Sequence, residues 1–144
     1  MKNVRDILRE KGKEVSKVTP QTTVFDALKL MAENNIGSVL VLDADHLVGI
    51  FSERDYARKV ILKGKASKDT PVKEIMSSEV VYARLNQPIE ECMALMTHKR
   101  VRHLPVFEDD QLVGVISIGD VVKATISEQD HLIHQLEDYI VGRR

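Results

Sequence analysis

The alternation of apolar and polar residues along the chain predicts a fixed order of helices and strands. Val24, Ala27, Leu28 and Met31 follow the i, i+3, i+4, i+7 spacing that places apolar side chains on one face of a helix. The run SVLVLD that follows predicts a buried strand, ADH a tight turn and LVGIFS a second strand. The segment SERDYARKVILKG is again typical of a helix, with Gly64 in the C-cap position.

This order of elements occurs twice. LVGIFSERD, which ends at Asp55, matches LVGVISIGD, which ends at Asp120, 65 positions further on, and the same offset continues without a gap on both sides. A shorter echo pairs VRDIL near the start with VKEIM before the second copy, so each copy begins with a short amphipathic turn. The pattern predicts an α/β (α+β) fold of two tandem β-α-β-β-α units. We expect one unit in residues 1–66, the second in 67–127 and a C-terminal helix in 128–144.

Composition narrows the function classes. The chain has 144 residues, 43% hydrophobic and 30% charged, which is enough to bury a sizeable core. Its net charge of −1 gives no general attraction to nucleic acid, membrane surfaces or acidic substrates. The single cysteine, Cys92, excludes an internal disulfide and fits a reducing compartment. No apolar run approaches the roughly 18 residues of a spanning helix, and no signal peptide is evident, so we expect a cytoplasmic protein.

Each repeat carries a Ser and an Asp three residues apart where a strand turns into a helix: Ser52 and Asp55, then Ser117 and Asp120. An aspartate can accept hydrogen bonds from two vicinal ribose hydroxyls, while a serine hydroxyl and the free N–H groups of a helix start suit a phosphate or the sugar. The same spacing is also a helix-capping box, and the two interpretations are compatible. Because the residues between them change while Ser and Asp recur, we favour a binding role.

The copies differ in charge beside this motif. HKRVRHLPV places Lys99, Arg100, Arg102 and His103 where the first copy has two asparagines, a glycine and a serine. Lys99 and Arg100 fit the C-terminal end of a helix, where cations complement the helix dipole. Arg102 and His103 are candidates for a phosphate, and His103, with an ordinary pKa of about 6.5, is expected to strengthen that contact as the pH falls.

The two segments IGSVLVLDADHLVGIFSERDYARKVI and VRHLPVFEDDQLVGVISIGDVVKATI resemble a pair of CBS domains, also called a Bateman module. The resemblance covers almost the whole chain. Among CBS proteins, the chain is most similar to the stand-alone CBS-pair proteins. It implies two units related by pseudo-two-fold symmetry, usually in a disc-shaped homodimer. It also implies regulatory binding of an adenine-containing ligand in clefts between the repeats. We expect AMP foremost, with ATP, NAD(H) or S-adenosylmethionine as other members of that class, and no metal.

The resemblance also assigns residues to the two clefts. The first cleft combines the Ser-x-x-Asp end of the first repeat with the basic residues of the second, and the second cleft combines the opposite pair. The adenine base is assigned to the leading segment of the opposite repeat, with one strand residue flanking the ring. The first set is Ser52, Arg54, Asp55, Arg102, His103, Met76, Val81 and Ile50, and the second is Ser117, Gly119, Asp120, Gly37, Ser38, Ser16, Val18 and Val115.

The other candidate sites have less support in the sequence. His131 and His134 are three apart on a predicted helix, but no further ligand is placed to complete a metal shell. Cys92 occupies the position of Ala27 in the first copy, which indicates a small buried residue and not a nucleophile. No catalytic arrangement can be assembled from the remaining residues, so we do not expect an enzyme.

The segment after the second repeat, SEQDHLIHQLEDYIVGRR, predicts a helix capped by Ser127. Its apolar stripe either packs on the chain's own repeats or joins two chains, and we favour a homodimer. The stripe is formed by Leu132, Leu136, Tyr139 and Ile140.

Two alternative functions follow from the sequence. The first is an adenine-nucleotide sensor of energy or redox state that regulates a partner protein. The second is a ligand-independent scaffold, of which a nucleic-acid-binding variant would use the patch from Lys99 to His103.

Overall fold

The structure is a computed structural model that describes residues 2–140. Its helices are α1 Val4–Lys11, α2 Val24–Asn34, α3 Glu53–Tyr56, α4 Ile89–Lys99 and α5 Ile118–Ile140. Its strands are β1 Lys17–Val18, β2 Ser38–Asp43, β3 His46–Ser52, β4 Ala83–Arg84, β5 His103–Glu108 and β6 Gln111–Ser117. A π-helical segment, Ala57–Ile61, continues α3, and a 3₁₀ turn covers Val72–Glu74.

The chain forms two compact units. The continuous unit is Val15–Val80, and the split unit combines the chain up to Glu14 with the chain from Val81 onwards. α1, which leads into the first repeat, lies in the split unit, and the segment that leads into the second repeat lies in the continuous unit. The predicted domains, in contrast, follow one another along the chain. The division into consecutive sequence domains therefore stays a prediction.

Each unit contains one three-stranded sheet of the same topology. In the continuous unit the strand order is β1-β2-β3, with β1 parallel and β3 antiparallel to β2. The split unit repeats this arrangement with β4-β5-β6. The register places Ser38 opposite Ser52 and His103 opposite Ser117. The predicted β-α-β-β-α order is confirmed in both copies.

The two echoing segments that lead into the repeats each pack in a unit built from the other repeat. α1 belongs to the split unit, where Leu8 lies so close to Gly114 that a Cβ on the glycine would stand 2.9 Å from its Cδ2. The second leading segment, from the 3₁₀ turn to Met76, belongs to the continuous unit, where a Cβ on Gly49 would stand 2.6 Å from Met76 Sδ. Glycine at these two equivalent strand positions therefore provides the space into which each leading segment packs.

Each unit buries its own apolar core. Every core includes apolar residues of the leading segment, of the first long helix and of the hairpin. The continuous unit buries Val24, Ala27, Met31, Val39, Val41, Phe51, Val60, Val72 and Ile75. The split unit buries Val4, Ile7, Leu8, Ala83, Leu85, Ile89, Cys92, Met96, Leu104, Val106, Ile116, Val121 and Ala124.

Two helices differ from the prediction. The helix expected up to Gly64 is α-helical only to Tyr56 and then widens into the π segment, which leaves Val60 fully buried; Gly64 does have the left-handed φ of +70° expected beyond a helix end. α5 runs without a break through Ser127, so the predicted cap there is wrong: neither proline nor glycine interrupts the helical pattern between Ile126 and the end of α5. The predicted closing residues from Gly142 onwards lie outside the described residues.

Across residues 2–140, none of the helices combines the length and the apolar character needed to cross a bilayer. The apolar stripe of α5 is exposed in the single chain: the side chains of Leu132 and Leu136 are 55% and 54% exposed, and Tyr139 and Ile140 are more exposed still.

Candidate functional site

The two Ser-x-x-Asp ends form the same capping box at the start of a helix. The Ser52 N–H donates to Asp55 Oδ2 at 3.0 Å, and the Asp55 N–H donates to Ser52 Oγ at 3.2 Å. In the other copy the Ser117 N–H donates to Asp120 Oδ2 at 2.8 Å and the Asp120 N–H to Ser117 Oγ at 3.1 Å. The capping interpretation is confirmed, and it fixes the orientation of both carboxylates, because one oxygen of each is held by the backbone.

Asp55, in the continuous unit, makes only long polar contacts through its second carboxylate oxygen, Oδ1. Its side chain is 13% exposed, and its Oδ1 lies 3.4 Å from Lys59 Nζ and 3.4 Å from Ser77 Oγ. Lys59 also donates to the Ile75 carbonyl at 3.2 Å. Because these contacts to Oδ1 are long, that oxygen remains the more available acceptor of the pair.

Asp120 has a much closer cationic partner in the split unit. Lys11 Nζ donates to Asp120 Oδ2 at 2.6 Å and to the Val115 carbonyl at 2.9 Å, so the last residue of α1 reaches the start of α5. Burial by itself would raise the Asp120 pKa, but the hydrogen bonds from Lys11 and Ser117, with the charge of Lys11, outweigh it and lower that pKa. The Asp120 carboxylate is therefore charged and paired at neutral pH.

The residues inside the Ser-x-x-Asp motif differ between the copies. Arg54 is exposed on the first turn of α3, whereas Gly119 is exposed on the first turn of α5. A Cβ at Gly119 would meet only Ser117 Oγ, at an ordinary 3.5 Å, so packing does not require glycine there.

The residues expected to contact phosphate flank the Ser-x-x-Asp end of their own repeat. The Ile118 N–H donates to the Arg102 carbonyl at 2.8 Å, and His103 stands opposite Ser117 in the sheet. Glu53 and Gly37 make the equivalent bond in the continuous unit at 3.1 Å. The predicted pairing of Arg102 and His103 with Asp55, and of Gly37 and Ser38 with Asp120, joins the two units and stays a prediction.

His103 does not have the ordinary pKa assumed from the sequence. The ring is half-buried, and this burial is the largest cause of its lowered pKa. The charges of Lys11 and Arg102 lower the pKa further, and only the charge of Asp120 opposes them. The imidazole is therefore neutral at pH 7, and any gain in phosphate contact from its protonation moves to a lower pH than expected.

The residues assigned to the adenine base are divided between the units. Ser16, Val18, Ile50 and Met76 lie in the continuous unit, and Val81 and Val115 lie in the split unit. Several of their backbone groups are already paired: the Ser16 carbonyl accepts from Leu40 at 3.1 Å, and Ile50 exchanges both backbone bonds with Ser77. The assignment of leading segments to opposite clefts stays a prediction.

Sequence reasoning missed Lys11, Lys59 and Ser77, which surround the two aspartates. Only Lys59 left a local signal, because it lies four residues after Asp55 at the spacing of a helical ion pair.

The residues set aside in the sequence have ordinary surroundings. Cys92 is fully buried, and burial together with the neighbouring Glu91 and Glu90 raises its pKa to about 11, as expected of a packing residue. His131 is exposed and within 3.1 Å of Gln135 on the same helix. Among residues 2–140 no group of three or more His, Cys, Asp or Glu side chains is arranged to hold a metal ion.

The family model for the CBS domain matches residues 4–62 and again residues 72–127. The chain belongs to the CBS domain family. Its relatives include the CBS domain-containing protein CBSX3, mitochondrial, of Arabidopsis thaliana, which is 37% identical over 96% of this chain and 72% of its own length. Since that relative is described as mitochondrial, the cytoplasmic location of this CBS pair stays a prediction.

Solved structures of CBS domains have the same fold. A CBS-domain protein from Burkholderia ambifaria MC40-6 is 50% identical to this CBS pair, with a TM-score of 0.84 over 88% of this chain and 95% of its own. The CBS domain pair of protein MJ0100, solved in complex with 5-methylthioadenosine and S-adenosyl-L-methionine, has a TM-score of 0.77 at 23% identity, over 89% of this chain and 98% of its own. At that identity the second likeness supports the fold alone.

Proposed function

We propose that this CBS pair is a regulatory module that binds an adenine nucleotide through Asp55 and Asp120. The observation that carries the proposal is the repeated geometry of these residues: each aspartate is partly exposed and is fixed by a capping box that holds one carboxylate oxygen. A carboxylate held in one orientation can accept both hydroxyls of a ribose without first losing side-chain entropy. Neither aspartate belongs to a catalytic arrangement, so the proposal includes no enzymatic step.

The other contacts of the ligand follow from the family resemblance. Arg102 and His103 would contact the phosphate of a nucleotide at Asp55, and Gly37 and Ser38 would flank the ligand at Asp120. Arg54 and Gly119, between each Ser and Asp, would lie nearest the sugar. The base would lie between the leading segment and one hairpin residue of each site: Met76, Val81 and Ile50 in one, Ser16, Val18 and Val115 in the other.

AMP is the ligand we expect, with ATP, NAD(H) and S-adenosylmethionine as the other candidates of the same class. Occupancy by such a ligand would report the energy or redox state of the cell to a partner protein. We further propose that two chains associate through the exposed stripe of α5, which gives the module a second surface distinct from its ligand sites.

The proposal is tested by titrating AMP, ATP and NADH calorimetrically into the wild-type chain and into Asp55→Asn and Asp120→Asn. Asparagine keeps an acceptor for the capping box but removes the charge. Since hydrogen bonds to a charged group contribute about 1.5 to 3 kcal/mol each, each substitution should weaken its own site by roughly tenfold or more. A ligand at about 100 times its dissociation constant should also add roughly 2.7 kcal/mol to the free energy of unfolding.

Asp6→Asn is the matched control for the capping box. Asp6 closes the same kind of box with Asn3 at the start of α1, where its Oδ2 accepts from the Asn3 N–H at 3.0 Å, and it has no proposed ligand role. Its nucleotide affinities should equal those of the wild-type chain. Unchanged affinities in the Asp55→Asn, Asp120→Asn double variant would rule out ribose capture by these residues. No binding and no thermal shift in the wild-type chain would instead favour the ligand-independent scaffold.

A further inference from the structure

Lys11 makes the two ribose-binding candidates chemically different. Its ammonium lies 2.6 Å from Asp120 Oδ2, the same oxygen that the Ser117 N–H contacts at 2.8 Å. At Asp55 the corresponding cation, Lys59, stands 3.4 Å away and faces the other oxygen, Oδ1. One carboxylate therefore carries a close charge partner on its capped oxygen, and the other has only a distant one.

The repeat shows which groups the Lys11 ammonium replaces. In the continuous unit the Ile50 carbonyl accepts from the Ser77 N–H at 2.9 Å, and Ser77 Oγ stands 3.4 Å from Asp55 Oδ1. Val115 is the repeat equivalent of Ile50, and its carbonyl accepts from Lys11 Nζ at 2.9 Å. One charged side chain thus takes the place of a backbone N–H and a neutral hydroxyl.

The Lys11 contact is not needed to hold α1 in place. Val4 and Leu8 are 0% and 1% exposed, and Leu8 packs against Gly114 in the hairpin. Lys11 is the last residue of α1, and its side chain is 34% exposed, so loss of its charge leaves that apolar anchor intact. The side chain also lines a small surface pocket together with Asp120.

We propose that Lys11 sets the specificity of the Asp120 site by competing with ribose hydroxyls for the carboxylate. This inference rests on the proposed function, in which Asp120 binds ribose. A vicinal diol that engages both carboxylate oxygens must displace the ammonium from Oδ2, and Lys11 then keeps its bond to the Val115 carbonyl but loses its charge partner. An uncharged nucleoside offers nothing in exchange, whereas a nucleotide can bring a phosphate to the displaced ammonium. The Asp120 site therefore selects phosphate-bearing ligands over nucleosides.

The test compares adenosine and AMP in an Asp55→Ala background, so that calorimetry follows the Asp120 site alone. Lys11→Met removes the ammonium and keeps the aliphatic stem. Because an ion pair between partly exposed groups contributes up to about 1 kcal/mol, adenosine should bind up to about fivefold more tightly, and the ratio of AMP to adenosine affinity should fall by about threefold or more.

Two further variants serve as controls in the same background. Lys11→Arg keeps the charge and should retain the parent affinities. Lys13→Met removes an exposed lysine two residues further along the chain and should change neither ligand. Far-ultraviolet circular dichroism and thermal unfolding establish that each variant is folded, and a gain in adenosine affinity cannot arise from loss of structure.

The outcomes separate this inference from the function on which it rests. If Asp120→Asn removes adenosine binding but Lys11→Met leaves it unchanged or weaker, Lys11 does not compete for the carboxylate and the proposed function still stands. If adenosine and AMP bind neither to these variants nor to the wild-type chain, both the inference and the proposed function are wrong.

Discussion

At the scale of single residues, the burial of His103 and the charges around it make this residue's contribution to stability depend on pH. The ring lies at the first position of β5, half-buried and within the field of Lys11 and Arg102. Burial and these two cations favour the neutral imidazole in the folded chain, whereas an unfolded chain leaves the ring in water with its ordinary pKa of about 6.5. The unfolded state therefore binds a proton at higher pH than the folded state does.

The sign of the resulting stability change follows from this difference. The contribution of His103 to the free energy of unfolding is complete above about pH 6.5 and is lost as the pH falls through the lower pKa of the folded state. His103→Gln removes the titrating group, so its unfolding free energy should decline less than that of the wild-type chain between pH 7.5 and 5. Urea unfolding at a series of pH values measures this, and parallel curves for the two proteins would contradict it.

Hydrogen bonds and ion pairs could be predicted where both partners lie close together in the sequence. The Ser-x-x-Asp boxes span four residues, so their hydrogen bonds follow from the spacing and from the change of hydrophobic period around them. The ion pair between Lys59 and Asp55 could be predicted in the same way. Acidic residues and lysines four residues apart are common on helices, however, so the spacing did not single out this pair. Lys11 is 109 residues from Asp120, and only the folded split unit brings them together.

At the scale of elements, periodicity predicted the hairpins and the long helices well. The stripe at Val24, Ala27 and Met31 is buried as expected, and both hairpins have the predicted strands. The π segment after Tyr56 was missed because apolar spacing does not distinguish a local change of helical winding from a continued α-helix. The continuity of α5 through Ser127 was missed because a serine resembles a cap wherever a helix is already expected.

The two equivalent glycines provide a matched test of how the leading segments pack. A Cβ at Gly49 would stand 2.6 Å from Met76 Sδ and 2.9 Å from the Ser77 backbone carbonyl, whereas at Gly114 its nearest atoms belong to the end of the Leu8 side chain. Backbone cannot yield as a side-chain methyl can. Gly49→Ala should therefore cost about 1 to 3 kcal/mol of unfolding free energy, and Gly114→Ala less.

Chemical denaturation of the two alanine variants decides this, because both substitutions are identical in chemistry and occupy the same position of the repeat. Equal losses, or a larger loss for Gly114→Ala, would show that the backbone of Ser77 does not limit the space at Gly49.

At the scale of the whole molecule, the exchange of leading segments had no signature in the sequence. Val4 and Val72 are both fully buried, and each occupies the same place in its own segment. A local pattern that is identical in both copies shows that each segment packs on a hairpin, but not on which hairpin.

The exposed stripe of α5 is the surface through which we expect two chains to meet. Leu132, Leu136, Tyr139 and Ile140 form a contiguous apolar surface of the kind that soluble proteins usually cover. Truncation after Ile126 removes that surface and should shift the chain from dimer towards monomer. Light scattering over a range of concentrations measures the change, and the double variant Leu132→Ser, Leu136→Ser should reproduce it with the helix retained.

A matched change on another part of α5 controls for altered helix stability. Asp130→Ser should leave the molecular mass in solution unchanged, because this exposed residue lies on the opposite side of the helix from Leu132 and outside the stripe. A full-length chain that remains monomeric at high concentration would exclude association through α5.

The division of the split unit between two distant stretches of chain fixes an order of events during synthesis. α1 leaves the ribosome before the continuous unit does, but the hairpin that packs on Leu8 is not complete until Ser117 has been added. The continuous unit has all its residues once Val80 has emerged, so it can fold while α1 still waits in solution with its apolar face open. α1 is therefore made before the continuous unit but finds its native partners only once the second hairpin is complete, and this interval is the period in which a nascent chain would most need protection from aggregation.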